Sequence, residues 1–326
     1  MGKRARPARA GARGLAGAVL ATLAAAGAVT GAAASPSAAL PYPGGGRPAV
    51  VPGHASVWQP PARADWMWEL GQPLVIGNSA LMGTGVAAYN GDRPPTDNPV
   101  VYDIDAIENR ASTVAALHRR GDHVICYIEV GVAGNYYSAA REGLRTTYYA
   151  QLKAAGDLGR KLPGYPERFI DINARSAVRI IESMIRRQCA QKDFDAVETD
   201  LDETFSGNEG ATGFTITRAG EETYLSTLAR YMHTLGLGWI AKNLDDTGSA
   251  VFVDHMEPLA QGIISEQCNQ YRTCWLLRPF LAARKWVGNA EYRPEKLASF
   301  CHRDNPAGIN GVRFSTNLDG GRRPCR

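Results

Sequence analysis

Several features that would assign a cofactor are missing from this sequence of 326 residues. It has no glycine-rich dinucleotide fingerprint, so nucleotide chemistry has no support. Its six cysteines lack zinc-ligand spacing, no loop has the EF-hand pattern, and histidine, present six times, is scarce near the acidic clusters. We therefore expect no cofactor and no metal, although Mg²⁺ or Ca²⁺ held by carboxylates is the rival interpretation of the acids described below.

Long apolar runs are equally rare, and the one that is long enough to span a bilayer stands near the N-terminus. It covers residues 15–34, follows five basic residues and ends in small residues that suit a cleavage site. We predict a secretory signal peptide over 1–34, with an uncleaved membrane anchor as the alternative. Residues 35–56, rich in Pro, Gly and Ala, are predicted to be a flexible linker, and residues 57–326 to be one folded domain.

Excess charge of one sign is also absent once the predicted signal is removed. The signal holds five of the 36 Lys and Arg and no acid, which leaves 31 basic against 32 acidic side chains, a net charge of −1. Because nucleic-acid binding needs a clustered basic surface, we expect no nucleic-acid partner. We also expect a secreted protein, a monomer, with no membrane association after cleavage.

All six cysteines lie in the predicted mature chain, where an exported protein meets an oxidising compartment. Two disulfide pairings are plausible, Cys268–Cys274 and Cys301–Cys325. Cys126 lies in a hydrophobic strand and Cys189 on the apolar side of a helix, so we interpret both as core thiols.

Strand-like and helix-like segments alternate along most of the domain, which predicts a mainly parallel sheet covered by helices. The candidate strands are 66–70, 100–105, 123–130, 168–172, 194–200, 238–243, 262–267, 286–292 and 309–315. This is one strand too many for a (β/α)₈ barrel, the fold that about 270 residues suit. We predict an α/β fold, a single-domain (β/α)₈ TIM barrel, with Trp66–Leu70 or Arg168–Ile172 outside it. A doubly wound open sheet is the alternative.

Several candidate strands end in carboxylates. The run 198–203 is the densest, with four acids in six positions. Glu198 and Asp200 share one strand face because alternate residues point the same way. The pattern recurs at Asp103 and Asp105, at Glu266 and at Glu291. Acids gathered at the C-terminal ends of parallel strands are how a (β/α) barrel builds an active site, which favours function over a plain acidic loop.

The motifs together carry a family resemblance over residues 58–315. In order they are Trp66-Met67-Trp68-Glu69-Leu70, Tyr102-Asp103-Ile104-Asp105, Val124-Ile125-Cys126-Tyr127-Ile128, Phe169-Ile170-Asp171-Ile172, Asp195-Ala196-Val197-Glu198-Thr199-Asp200, Lys242-Asn243 and Glu266-Gln267-Cys268. The chain resembles glycoside hydrolase family 114, the endo-α-1,4-polygalactosaminidases, which are (β/α)₈ barrels. It departs from the family pattern at Thr199, Leu201 and Glu203 in the central motif, and at Glu69, where the family commonly has Gln.

The resemblance implies a glycosidase with two catalytic carboxyl groups, one that protonates the leaving oxygen and one that attacks the anomeric carbon. Asp200 and Glu266 match the family's proposed catalytic acids. We assign Asp200 as nucleophile and Glu266 as acid/base, and expect retention. The implied substrate is an α-1,4-linked galactosamine-containing polysaccharide. The alternatives are a glycosidase of a different amino-sugar polymer and a non-catalytic carbohydrate-binding barrel.

Other residues at strand ends are predicted to contact the sugar. Glu198 is the alternative nucleophile or a sugar ligand, and Lys242 is expected to orient a catalytic carboxylate. The remaining predicted substrate contacts are Asp103, Asp105, Asn243, Glu291, Tyr292 and Trp68. The competing interpretation is an ordinary strand-end turn or, for Trp68, core packing. Because hydrolysis needs only two acids, the surplus predicts a cationic or part-cationic substrate.

Overall fold

The computed structural model describes residues 57–89, 98–206, 211–292 and 296–326. The predicted signal peptide and linker, 1–56, lie outside the described residues. The strands are β1 (Trp66–Glu69), β2 (Val101–Asp105), β3 (His123–Glu129), β4 (Val132–Ala133), β5 (Leu158–Lys161), β6 (Arg168–Ile170), β7 (Ala196–Asp200), β8 (Gly238–Lys242), β9 (Gly262–Glu266), β10 (Trp286–Glu291), β11 (Asn310–Phe314) and β12 (Arg322–Pro324). The helices are α1 (Ser79–Met82), α2 (Ala111–His118), α3 (Ala139–Glu142), α4 (Tyr148–Ala155), α5 (Arg175–Met184), α6 (Arg218–Thr234), α7 (Ala250–Met256), α8 (Cys268–Tyr271), α9 (Arg278–Ala282) and α10 (Leu297–Ala307).

Eight parallel strands form the central sheet, in the order β1-β2-β3-β7-β8-β9-β10-β11. β12 adds to β11 in the antiparallel direction. β6 instead belongs to a separate antiparallel sheet with β4 and β5. The (β/α)₈ barrel is confirmed, and the segment at Arg168–Ile172 is the extra strand.

The barrel closes at its β1–β11 seam through the C-terminal segment. The Trp66 indole donates to the backbone oxygen of Asn310 at 2.9 Å. The buried Arg322 Nε donates to the Trp66 oxygen, also at 2.9 Å, and the Gly71 amide donates to the Leu318 oxygen. A Cβ at Gly71 would lie 2.5 Å from a backbone oxygen, so only glycine allows this approach. Hydrogen bonds from side chains and turns thus link β1 to β11, which the strand hydrogen bonds do not join.

Large aromatic residues fill the barrel near the N-terminal ends of its strands. Trp66 and Trp286 meet edge to face with ring centroids 5.5 Å apart, and both are fully buried. Gly262 and Gly288 make room for them: a Cβ at Gly288 would lie 2.8 Å from the Trp286 ring. We call Trp66, Trp286, Gly262 and Gly288 the aromatic floor.

The helices pack apolar side chains against the barrel. α6 buries Leu225, Leu228 and Met232, and the Thr217 hydroxyl caps its first turn by accepting from the Gly220 amide. α5 continues into a π-helical turn and a 3₁₀ turn that end at Lys192, so the hydrogen-bond pattern of this helical segment changes midway. No helix in the described ranges has the length and apolar character to cross a membrane.

Three disulfides join all six cysteines. Cys268–Cys274 and Cys301–Cys325 form as predicted. The interpretation of Cys126 and Cys189 as core thiols is wrong, because the π-helical turn brings Cys189 against β3, with the two Cα atoms 5.6 Å apart. Their sequence separation of 63 residues makes this the most stabilising cross-link in the chain-entropy account, about 4 kcal/mol against about 2 kcal/mol for Cys268–Cys274.

Candidate active site

One buried lysine gathers acids from the two strands on either side of its own. Lys242, the last residue of β8, places Nζ 3.3 Å from Glu198 Oε1 and 3.3 Å from Asp200 Oδ1 of β7. The same nitrogen lies 3.2 Å from Glu266 Oε2, at the end of β9. We call these four residues the Lys242 cluster. Because parallel strands end at one rim, the strand-end acids are brought together as predicted.

The shared lysine limits how far apart the two predicted catalytic acids lie. Asp200 Oδ1 is 3.3 Å and Glu266 Oε2 is 3.2 Å from Lys242 Nζ, so these two oxygens are separated by at most the sum, 6.5 Å. Retaining glycosidases hold their carboxyl groups about 5–5.5 Å apart, and inverting enzymes about 6.5–9.5 Å. The upper limit of 6.5 Å for this pair of oxygens is compatible with the retaining separation and reaches only the lower edge of the inverting range.

Asp200 is held by donors on both of its oxygens. The Tyr127 hydroxyl of β3 donates to Oδ2 at 2.6 Å, and the Leu201 amide donates to Oδ1 at 3.0 Å. With Lys242, these donors favour the ionised carboxylate. Tyr127 was not among the predicted site residues. The sequence feature that could have identified it is the strand motif 124–128. The register of β3 and β7 pairs Tyr127 of this motif with Glu198.

Glu266 is positioned mainly by the residues that follow β8 and β10. The Tyr292 hydroxyl donates to Oε1 at 2.5 Å, and Asn243 Nδ2 lies 3.4 Å from Oε2. Asn243 also accepts from the Glu266 amide at 2.7 Å, so it fixes both the backbone and the carboxyl group. Tyr292 and Asn243 therefore meet the site through Glu266, and their predicted contact with substrate stays a prediction.

Glu198 lies deeper in the barrel than Asp200, and its electrostatic environment is different. It is fully buried, and the Trp68 indole donates to Oε2 at 3.1 Å. Burial raises the pKa of Glu198, although the Lys242 charge opposes the shift. Burial and the nearby Glu198 raise the pKa of Asp103 well above its usual range.

Lys242 stays charged despite complete burial. Burial alone lowers its pKa, but Asp200, Glu266 and Glu198 outweigh that effect, and the pKa stands well above its ordinary value. The Trp68 ring adds a cation–π contact, with Nζ 4.5 Å from the ring centroid. The ammonium thus occupies the position among the carboxylates that a metal ion would take. Within the described residues, no group of three or more His, Cys, Asp or Glu is arranged to hold a metal.

The chain turns sharply after each strand of the cluster. Leu201, Asn243 and Gln267 directly follow β7, β8 and β9, and all three have positive φ, between 51° and 64°. A left-handed conformation outside glycine costs about 1–3 kcal/mol and persists where the surrounding structure enforces it. The cost falls at three consecutive functional strands, which is where side-chain direction matters most.

Two predicted sugar ligands are tied into the surrounding structure instead. Asp105 Oδ1 accepts from the Ile107 and Glu108 amides, each at 2.8 Å, so the side chain stabilises the turn before α2. Glu291 Oε1 accepts from the Asn269 amide at 2.9 Å. Because Tyr292 points inward to Glu266, its neighbour Glu291 points to the helix layer. Sugar contact by either acid stays a prediction.

Glu69, at the end of β1, is a buried acid without a lysine. Oε1 accepts from the Gln72 amide at 3.2 Å, and Oε2 has no hydrogen-bond partner among the described residues. Burial raises the pKa of Glu69 to about 8. It therefore shows what a carboxyl group does in this barrel when no counter-ion compensates its burial.

Comparison with known proteins identifies the family. The profile of glycoside-hydrolase family GH114 matches residues 47–326. The chain belongs to family GH114. It is a glycoside hydrolase, and the Lys242 cluster lies at the C-terminal ends of the strands, the face on which TIM-barrel enzymes carry their active sites. The resemblance inferred from the sequence motifs is confirmed.

Solved structures agree on the fold of this GH114 chain. It is similar to Ega3 of Aspergillus fumigatus, crystallised in complex with galactosamine, at 22% identity and a TM-score of 0.65, covering 83% of this chain and 98% of that one. It is also similar to the glycoside hydrolase domain of PelA from Pseudomonas aeruginosa, at 13% identity and a TM-score of 0.54, covering 78% and 96%. A search of curated proteins gave no match.

Proposed function

We propose that this GH114 enzyme cleaves an α-1,4-linked galactosamine-containing polysaccharide with retention of configuration. The observation that carries the mechanism is the Lys242 cluster, which places an Asp200 oxygen and a Glu266 oxygen within 6.5 Å of each other. The substrate class rests on the family and on the likeness to a barrel crystallised with galactosamine.

Asp200 is the nucleophile in this proposal. Its carboxylate attacks the anomeric carbon and forms a glycosyl–enzyme ester while the glycosidic C–O bond breaks. The donors from Tyr127, Leu201 and Lys242 keep it ionised and aimed. Glu198 is less suited to attack, because burial raises its pKa and the Trp68 indole holds one of its oxygens.

Glu266 is the acid/base. It gives its proton to the leaving oxygen in the first step and removes a proton from the attacking water in the second. The Tyr292 hydroxyl suits both states, since a hydroxyl donates to a carboxylate and accepts from a protonated carboxyl group. Lys242 remains bound to Asp200 and Glu198 while Glu266 carries the proton.

The charge of the site favours a substrate with free amino groups. Asp103, Glu198, Asp200 and Glu266 face a single lysine, so the centre has more acid than hydrolysis needs. An ammonium on galactosamine reduces this imbalance, whereas an N-acetyl group does not. A glycosidase of another amino-sugar polymer is the second candidate, because the same charge argument applies to it.

The test is hydrolysis by the mature domain of α-1,4-linked galactosamine polymers that differ only in acetylation. We expect the deacetylated polymer to be cleaved faster than the fully N-acetylated one, and NMR of the first products to show the α-anomer. Faster cleavage of the acetylated polymer would contradict the proposal that the acidic centre selects free amino groups. First-formed β-anomer removes retention, and cleavage of only a different amino-sugar polymer selects the second candidate.

We further propose that the enzyme is exported and loses residues 1–34. Three disulfides in the described chain support an oxidising destination. N-terminal sequencing of protein recovered from the medium is expected to begin at Ser35, and protein that remains membrane-bound with an intact N-terminus contradicts the proposal.

A further inference from the structure

Two arginines face each other across the last strand pair. The antiparallel register of β11 and β12 places Arg313 directly opposite Arg323. Side chains at directly opposed positions lie on the same face, with Cβ atoms about 4.5–5.5 Å apart, and like charges there are destabilising. Arg313 is half-buried and Arg323 exposed, so water screens the pair only in part.

Glu291 of β10 is in register with Arg313, so an acid stands beside one of the two arginines. No ion pair or side-chain hydrogen bond joins either of them to an acid among residues 57–89, 98–206, 211–292 and 296–326. The neighbouring Arg322 is different, because it is buried and paired with Asp65. The nearby Asp319 accepts from the Ser315 hydroxyl at 2.6 Å.

Both arginines line one open groove of about 890 Å³, within the range of about 300–1,000 Å³ that small-molecule sites occupy. Among the described residues, the rest of its lining mixes apolar side chains with hydroxyl groups and glycine backbone; the polar part includes Ser79, Thr84, Ser315 and Thr316, and the apolar part Ala80, Val86, Ala87 and Phe314. Hydroxyls and backbone groups bind sugar hydroxyls, while paired guanidinium groups bind oxyanions bidentately. The lining therefore matches a saccharide that carries an anionic group.

The groove and the catalytic centre lie on opposite faces of β11. Phe314 is buried and meets Trp68 edge to face inside the barrel, with ring centroids 6.2 Å apart. Arg313, the adjacent residue, therefore points away from the Lys242 cluster. We propose that the groove at Arg313 and Arg323 is a second saccharide site, which binds the carboxylate of an acidic sugar residue. This site is opposite in charge to the catalytic centre and does not depend on the assignment of the catalytic acids.

Binding is tested with the intact mature enzyme carrying Asp200→Asn, so that no hydrolysis intervenes. The probes are tri-galacturonate, neutral galactotriose and inorganic sulfate, followed by calorimetry and thermal unfolding in a low-anion buffer. We expect tri-galacturonate to bind at least ten-fold more tightly than either other probe. The double variant Arg313→Gln/Arg323→Gln is expected to lose at least ten-fold of that affinity.

A matched control is Arg175→Gln/Arg179→Gln, which removes two exposed arginines one turn apart on α5. It is expected to bind tri-galacturonate like the parent. Equal affinity in parent and Arg313→Gln/Arg323→Gln overturns the proposal, as does sulfate binding as tightly as tri-galacturonate. Absence of galactosaminidase activity in the unmutated enzyme would contradict the proposed function and leave this result untouched.

Discussion

The aromatic floor and the Lys242 cluster occupy the same barrel interior and are built on the same strands. β1 carries Trp66 in the floor and Trp68 over the lysine, two residues further along. β9 begins at the floor with Gly262 and ends in Glu266. The floor buries apolar rings with their indole N–H groups hydrogen-bonded, whereas the cluster buries charge. One alternating strand pattern therefore supplies stability at one end and chemistry at the other.

The two regions hold their side chains by different means. In the aromatic floor, packing fixes the side-chain positions, because the glycines leave the volume that the tryptophans fill. In the cluster, charge and hydrogen bonds decide, because each carboxyl group has a named donor. Variants in the floor should thus change stability at constant turnover, and variants in the cluster should change turnover first.

The largest effect is expected for the catalytic pair. Asp200→Asn and Glu266→Gln keep the shape of the side chain but remove the nucleophilic charge or the transferable proton, so each should lower kcat by at least about 1,000-fold. Glu222→Gln is the matched control, because it makes the same change on α6, where the carboxylate pairs with Arg218 away from the cluster. Glu198→Gln should cost less than Asp200→Asn, and azide should partly rescue only the variant that lacks the nucleophile. Near-parental turnover in both catalytic variants would falsify the mechanism.

Lys242→Met should reduce both activity and stability. Removing one partner of a buried ion pair costs about 3–5 kcal/mol, and here three carboxylates lose their counter-ion. The loss should grow as pH rises above about 4, because the unpaired acids then release their protons in the unfolded chain but not in the folded one. Chemical denaturation between pH 4 and pH 8 measures this. A pH-independent loss would mean that Lys242 acts by packing alone.

Glu69→Gln separates burial from catalysis. The folded-state pKa of about 8 exceeds the ordinary value of 4.5, so between these pH values the folded protein holds a proton that the unfolded chain has released. Stability therefore falls as pH rises through this window, and Gln removes the slope. We expect the advantage of the variant over the parent to grow by on the order of 3 kcal/mol from pH 5 to pH 8. An unchanged slope in denaturation curves would show that Glu69 does not control it.

The smallest effect is expected in the floor. Gly288→Ala adds a methyl group 2.8 Å from the Trp286 ring, and overpacking of this kind costs about 1–3 kcal/mol. Neither residue touches the Lys242 cluster, so kcat should be unchanged below the unfolding transition. A drop in kcat for Gly288→Ala would show that the two regions are mechanically coupled.

The sequence alone predicts the barrel because strand and helix periods alternate so regularly. It also predicts that Asp200 and Glu266 meet, since acids at the ends of parallel strands converge at one rim. The sequence does not show which of the two ambiguous strands lies outside the barrel. Arg168–Ile170 has ordinary strand character, and only the structure shows that it pairs in a separate sheet. The seven residues of α7 are too few for an apolar period to be recognised in the sequence.

Contacts between distant elements were harder to predict. The Cys126–Cys189 bond depends on the π-helical turn that rotates Cys189 towards β3. The Tyr127–Asp200 hydrogen bond depends on the register of β3 and β7. Glu291 is a case where the signal was present: adjacent strand residues face opposite ways, so Tyr292 and Glu291 do not share the pocket.

The contact between Arg322 and Trp66 joins residues that are 256 positions apart in the chain. A growing chain therefore emerges from the ribosome with β1 already made and its closing partner still untranslated. Until the last few residues follow, β1 presents an unpaired edge on a long, nearly complete sheet. The nascent polypeptide, rather than the finished enzyme, is then the form most exposed to edge-to-edge aggregation.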